Sequence, residues 1–343
     1  MRIQITKRLF AGIAAGAVGL LALSGCAAGN GNGTGAEPDG GDKAVKVGFF
    51  GYAASNSYTQ GIFKGVEAKT EELGGTATLV DGQFDGQLQV QQINDAITSK
   101  KFDVIIITAN DNLAVQEPLQ RAVDAGITVV VSSTPVGPDF TTIEPQIDGA
   151  ISVVYSPVAN GEDLAELGGM ACEEIEGECQ VAYMEGSPSL PLDKARTEAV
   201  IDGLKALGGD VKVLPTATGG YSQDEGRTAY QDITQANPDV DVIIGSTQAI
   251  AGAWLAGGDQ TDIKFIGNGS PQSAVEHVLN GDWFAIWAID GVNTGATAAE
   301  YGIKHHNGED VPMATDERSL SPNNAMGTRE ALEESGFTSG YDE

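Results

Sequence analysis

Runs of residues that are apolar at successive positions, not alternate ones, most constrain the fold of this chain. They recur at strand length over 45–50, 76–80, 104–108 and 128–131. A strand with one wet face alternates, whereas a strand buried on both faces of a parallel sheet does not. Between the runs lie segments with helical spacing, such as Val115, Leu119, Ala122 and Val123. Strand, helix, strand repetition with short connections predicts a doubly wound α/β domain. After a break at 153–157 the rhythm restarts, with strands read at 180–185, 211–214, 242–245, 265–267 and 284–289. Helices are read near 160–176, 192–207, 223–235, 249–257 and 271–280. The 343 residues are enough for two such domains. Each sheet opens a crevice beyond the C-terminal ends of its strands, and two facing crevices make a cleft for a small molecule.

The N-terminus carries an address. Arg2, Lys7 and Arg8 precede an apolar stretch from Leu9 to Leu23, too short and too rich in Gly and Ala for a membrane-spanning helix. Leu23-Ser24-Gly25-Cys26 resembles a bacterial lipobox, which predicts a signal peptide over 1–25 and acylation of the Cys26 thiol. Residues 26–43 are rich in Gly, Asn and Asp and read as a flexible tether. Their glycines are spaced like a dinucleotide loop, but no strand precedes them, so that match is void. An exported protein permits disulfides. Cys172 and Cys179 enclose six residues between a helix pattern and a strand pattern and are expected to pair. A zinc site would need further ligands, and none lie nearby in sequence.

A net charge of −29 argues against nucleic acid and against clinging to anionic headgroups. Signals for catalysis are missing. No Gly-x-Ser-x-Gly elbow or Walker-type phosphate loop occurs. His305 and His306 are adjacent, so on a helix they diverge, and they read as basic residues at a helix C-terminus. His277 sits in an amphipathic segment. Neither an enzyme, a metal nor a cofactor is expected.

The order of elements, the lipobox and several short motifs resemble the type I periplasmic sugar-binding proteins of ATP-driven importers. The ribose- and galactose-binding branch is the nearest, and lactose-repressor effector domains share its fold. The resemblance spans nearly all of 45–330. It rests on Val47-Gly48-Phe49-Phe50 followed by Asn56-Ser57-Tyr58, and on Asp81-Gly82-Gln83-Phe84-Asp85 leading into Gln91-Gln92-Ile93. Phe102-Asp103-Val104-Ile105-Ile106-Ile107 before Ala125-Gly126-Ile127-Thr128-Val129-Val130, Asn237-Pro238-Asp239-Val240, and Gly308-Glu309-Asp310-Val311-Pro312 complete it. It implies two doubly wound lobes closing as a hinge, joined by three crossovers near 153–157, 289–291 and 315–320. One lobe would comprise 44–154 plus 290–317, the other 155–289 plus 318–335. An export signal stands where a repressor would have its DNA-binding helices.

Carried over residue by residue, the resemblance implies a ligand site. Asn56 and Tyr58 open the first helix, and Ser133 and Thr134 follow the fourth strand. Arg196 sits near a helix start as a cationic fork, and Tyr221 supplies a stacking ring. Ser246 and Thr247 stand where sugar binders show Asn-Asp, Asn268 where they show Asp, and Asp290 lies beside a usual Gln. Hydroxyls and an amide thus replace two cleft carboxylates. Trp287 reads as core, and Trp254 as either cleft or core. The implied function is a monomeric, lipid-anchored solute-binding protein on the outer face of the cytoplasmic membrane. It would capture a sugar, polyol or related solute for the membrane permease of an ABC importer. The alternatives are a sensor presenting its ligand to a signalling receptor and, more remotely, an extracytoplasmic enzyme.

Overall fold

The computed structural model describes residues 44–342. The expected signal peptide (1–25), Cys26 and tether (26–43) lie outside the described residues.

The first sheet is laid down by β1 (Lys46–Gly51), β2 (Thr76–Asp81), β3 (Val104–Ile107), β4 (Thr128–Ser133) and β5 (Ile151–Val154). Three helices intervene: α1 (Ser57–Glu72), α2 (Gly86–Ser99) and α3 (Gln116–Asp124). The chain then enters a second unit. It begins with α4 (Pro157–Cys172), β6 (Cys179–Glu185), α5 (Pro191–Leu207), β7 (Val211–Val213), β8 (Ala217–Thr218) and α6 (Gln223–Ala236). It continues through β9 (Val242–Ser246), α7 (Thr247–Leu255), β10 (Lys264–Asn268), α8 (Gln272–Asn280) and β11 (Ala285–Trp287). The chain returns to the first unit for α9 (Gly291–His306) and β12 (Ala314–Asp316). It ends in the second with β13 (Met326–Thr328) and α10 (Arg329–Ser335). It therefore passes between the two sheets three times.

The first sheet has the order β12-β5-β4-β3-β1-β2 and is parallel throughout. The second runs β13-β11-β10-β9-β6-β7, with β8 beside β6, and only β13 is antiparallel. Strand β3 shows why the apolar runs are continuous. Val104 and Ile106 bury against Ile62, Val66 and Ala298, while Ile105 and Ile107 bury against Ile93 and Leu119. Successive side chains meet different helix layers, so each must be apolar.

Helices α1 and α9 touch backbone to backbone. A Cβ on Gly65 would stand 1.9 Å from the Val292 carbonyl oxygen, and one on Gly295 would stand 2.0 Å from that of Ile62. Cys172 and Cys179 form a disulfide, with Cα atoms 5.6 Å apart, joining the end of α4 to the start of β6.

Candidate functional site

A cavity of about 180 Å³ lies between the two lobes, walled by the C-terminal ends of strands and the turns that follow them. That is smaller than the roughly 300–1,000 Å³ of sites for drug-sized molecules and suits a small solute. Asn56, Tyr58, Ser133, Arg196, Tyr221, Thr247 and Asn268 all line it, so most of the residues expected from the sequence converge.

Three expected residues do not line it. The Thr134 hydroxyl is fully buried between Asn112 Nδ2, at 3.0 Å, and Tyr52 Oη, at 3.4 Å. Ser246 caps α7: its Oγ accepts from the Ala249 N–H and donates to the Gly220 carbonyl. Asp290 caps α9 through the Asn293 N–H, and burial raises its carboxyl above the usual range. Each of these short polar side chains satisfies a helix end or a loop instead of lining the cavity.

The second-lobe wall is built around Arg196. Pro191 starts α5 and puts Asp193 and Arg196 one turn apart, both buried. Arg196 Nη1 donates to Asp193 Oδ1 at 2.8 Å and to Tyr221 Oη at 3.2 Å, and Nη2 donates to Tyr155 Oη at 3.2 Å. Tyr221 Oη donates to the same Asp193 oxygen at 2.5 Å, and the Ser187 N–H donates to the other. Gly186 admits this cluster, since a Cβ there would meet Tyr221 Oη at 2.5 Å. Arg196 Nε is buried with no hydrogen-bond partner among the described residues. Asn268 and Asn160 exchange amide hydrogen bonds of 3.2 and 3.3 Å.

The first-lobe wall centres on Tyr58. Its hydroxyl donates to Glu317 Oε1 at 2.8 Å and lies 3.2 Å from Ser133 Oγ. Burial first, then the neighbouring Glu317, raise the Tyr58 hydroxyl well above its usual range, so it stays a neutral donor. Burial likewise pushes the Glu317 carboxyl up to about 8. Ser133 holds a left-handed backbone at φ 72°, and Gln83 and Phe84 do so at 51° and 54°. Ser133 and Phe84 line the cavity, so two of these three sparsely populated backbone conformations sit at its wall. Phe84 is 61% exposed at the cavity edge, an apolar ring presented to solvent.

Several lining residues carry no sequence signal. Tyr52, Tyr155 and Trp287 each follow or end a strand. Trp287 is both core and cavity wall: it packs edge-on to Tyr155 at 4.7 Å and donates Nε1 to Asp163 at 3.0 Å. Trp254 packs on Phe265 and His277, away from the cavity. Tyr341 arrives from the far end of the chain. Asp193 was legible in principle, since an acid three residues before Arg196 on a helix is ion-pair spacing.

The sequence matches the periplasmic binding protein domain over residues 47–310. The chain belongs to the periplasmic binding protein family. That family comprises transport binding proteins, not enzymes. This periplasmic binding protein is 26% identical, over 224 residues, to the D-apiose import binding protein of Actinobacillus succinogenes, covering 63% of this chain and 67% of the relative. Among solved structures it resembles a Bacillus halodurans ABC transporter solute-binding protein with bound myo-inositol, with a TM-score of 0.71 and 20% identity, over 86% of this chain and 99% of that one. A Mycobacterium smegmatis solute-binding protein with bound glycerol gives a TM-score of 0.68 and 22% identity, over 80% and 92%. At such identities these structures speak to the fold, the two-lobed type I architecture that the sequence predicts.

Among the described residues lining the cavity, Arg196 is the one side chain that carries a full charge, and Asp193 neutralises it. Around it stand tyrosine hydroxyls and the amides of Asn56, Asn110, Gln248 and Asn268, alternating with aromatic faces. Such a wall offers hydrogen bonds in several directions and flat apolar contact, with no spare charge to meet an ion.

Proposed function

We propose that this protein captures a small, neutral, polyhydroxylated solute, a sugar or polyol, between its lobes and hands it to the permease of an ABC importer. The observation that carries the reading is Arg196. Its charge is spent on Asp193, and its Nη1 and Nη2 also meet the hydroxyls of Tyr221 and Tyr155. A solute in the cavity therefore meets tyrosine hydroxyls and amides around a neutralised cation, donors and acceptors that suit neutral hydroxyl groups. A carboxylate or phosphate would have to be buried against a cation already neutralised. Aromatic faces from both lobes suit the C–H face of a sugar ring.

The moving bodies in this reading are 44–154 plus 290–317 and 155–289 plus 318–335. The solute favours closure because only the closed form lets both lobes touch it. Acylated Cys26 and the 26–43 tether would hold a monomer at the outer face of the cytoplasmic membrane, within reach of its permease. The names of its relatives direct the test, a thermal-shift screen of D-apiose, D-allose, D-tagatose, myo-inositol and glycerol against amino acids, carboxylates and phosphate esters. A neutral solute at 100 times its Kd is expected to add about 2.7 kcal/mol of stability. Stabilisation by charged solutes alone would overturn the reading.

A further inference from the structure

Residues 336–342 follow α10 and leave the second lobe. Gly336, at φ 63°, turns the chain back towards the start of α8. That helix begins after Pro271, which provides no side-chain cap, and residues 336–342 satisfy its first N–H groups instead. The Gln272 N–H donates to the Tyr341 carbonyl at 2.9 Å, and the Ser273 N–H donates to Asp342 Oδ1 at 3.0 Å. The Ser270 N–H donates to Tyr341 Oη at 3.1 Å. So far this is a helix cap supplied from a distance.

The same residues also grip the first lobe. Lys64 Nζ, on α1, donates to the Gly340 carbonyl at 3.1 Å. The Tyr341 ring lies edge-on to Tyr58 at 5.9 Å and sits in the gap that Gly61 leaves, where a Cβ would stand 2.9 Å from the ring. Gly340 packs on Val292 of α9 so closely that a Cβ would approach to 2.2 Å. Two glycines, one on each partner, let the irregular segment pack closely on the α1–α9 pair. Tyr341 also lines the cavity beside Tyr58 and Trp287.

We infer that residues 336–342 form a clasp between the lobes, a fourth link beside the three crossovers, and that Tyr341 is a solute-contacting wall delivered by that clasp. The inference rests on the reading of the cavity as the capture site. Because the clasp is anchored on α8 and bears on α1, its hold on the first lobe and the completeness of the cavity wall are one variable. A solute that touches Tyr341 therefore tightens the clasp, and a released clasp leaves the cavity without one side.

The test compares the wild-type mature protein with Tyr341→Phe, Tyr341→Ala, Gly61→Ala and a chain ending after Gly336. Hydrogen exchange is followed without solute over 57–64 and 270–276, and D-apiose, D-allose and myo-inositol are titrated by calorimetry. In Tyr341→Ala and the shortened chain, exchange is expected to rise in both segments, and affinity to fall by at least about tenfold, as for a buried aromatic contact. Tyr341→Phe keeps the ring and loses only the acceptor of the Ser270 N–H, so it is expected to keep affinity and exchange over 57–64 while Ser270 alone exchanges faster. Gly61→Ala displaces the ring while the Tyr341 carbonyl and Asp342 still cap α8, so it is expected to raise exchange over 57–64 but not over 272–276, and to weaken binding. Faster exchange confined to 270–276 would leave a helix cap and nothing more, and wild-type affinity in Tyr341→Ala would equally overturn the clasp. Should none of the three solutes bind the wild type, the sugar reading fails by itself, and exchange over 57–64 still decides the clasp.

Discussion

Arg196 illustrates how one residue joins stability to recognition. It is buried with Asp193, whose two oxygens also receive the Tyr221 hydroxyl and the Ser187 N–H. Truncating it strands a buried carboxylate, so Arg196→Ala is expected to lose about 3–5 kcal/mol in denaturant unfolding as well as solute-induced stabilisation. Arg196→Lys separates the two effects. It keeps a cation for Asp193 but loses the planar fork, so stability should largely hold while solute affinity falls. Equal affinity in Arg196→Lys and wild type would show that the fork does not touch the solute. Arg196, Tyr221 and Tyr58 were legible through the family resemblance, which matches each of them to a ligand-contacting position at a helix start or in a loop. The sequence did not make Trp287 legible as a wall, since a tryptophan on a buried strand reads as core, and here the strand's last residue is both. Nor could it place Tyr341, whose neighbours Tyr58 and Gly61 lie far away in sequence and are reached only by tertiary packing.

At the scale of elements, the helices of the first lobe depend on missing side chains. Gly65 of α1 and Gly295 of α9 each face the other helix's backbone carbonyl. Alanine normally stabilises a helix interior by about 1 kcal/mol over glycine. Here the added methyl would meet backbone, which cannot rotate away, so Gly65→Ala is expected to destabilise by about 1–3 kcal/mol in denaturant unfolding. A gain in stability would mean that the helices can separate freely. The second lobe carries a different device, the Cys172–Cys179 disulfide between α4 and β6. It closes a short loop, with a sequence separation of 7, so replacing both cysteines with serine is expected to lose only about 2 kcal/mol on heating or in urea. Strands were readable where Val and Ile follow one another without a break, as in β3 and β4. Strands β5, β12 and β13 break such a run with Ser152, with Thr315 and Asp316, and with Gly327 and Thr328, and they exist because neighbouring strands offer them a ladder.

For the whole molecule, the crossovers hold the chemistry that links the lobes. In the third, Arg318 pairs with Asp316 at the edge of the first sheet and with Asp163 on α4 of the second lobe, and Asp163 also accepts from Trp287 in the cavity wall. Beside it Glu317 is fully buried, receiving hydroxyls from Tyr58 and Thr294, with Asp316 and Asp290 as the nearby acids. Burial raises its carboxyl from 4.5 to about 8, the two hydroxyls draw it back, and the acids add to the rise. The stabilisation this group gives is therefore complete below about pH 4.5, where it is protonated in both folded and unfolded chains. It declines as the unfolded chain ionises first, and it is gone once pH passes about 8. Over that window the molecule is expected to lose a few kcal/mol of stability from this one group. Glu317→Gln fixes the site in its uncharged shape, so its thermal midpoint should vary less between pH 5 and 8 than that of the wild type, and the two should differ most at the alkaline end. Parallel pH profiles for the two proteins would show that Glu317 is already ionised in the fold. The Tyr58 hydroxyl would then face a charge at the cavity wall, and the cavity would prefer donors where the neutral form accepts either polarity.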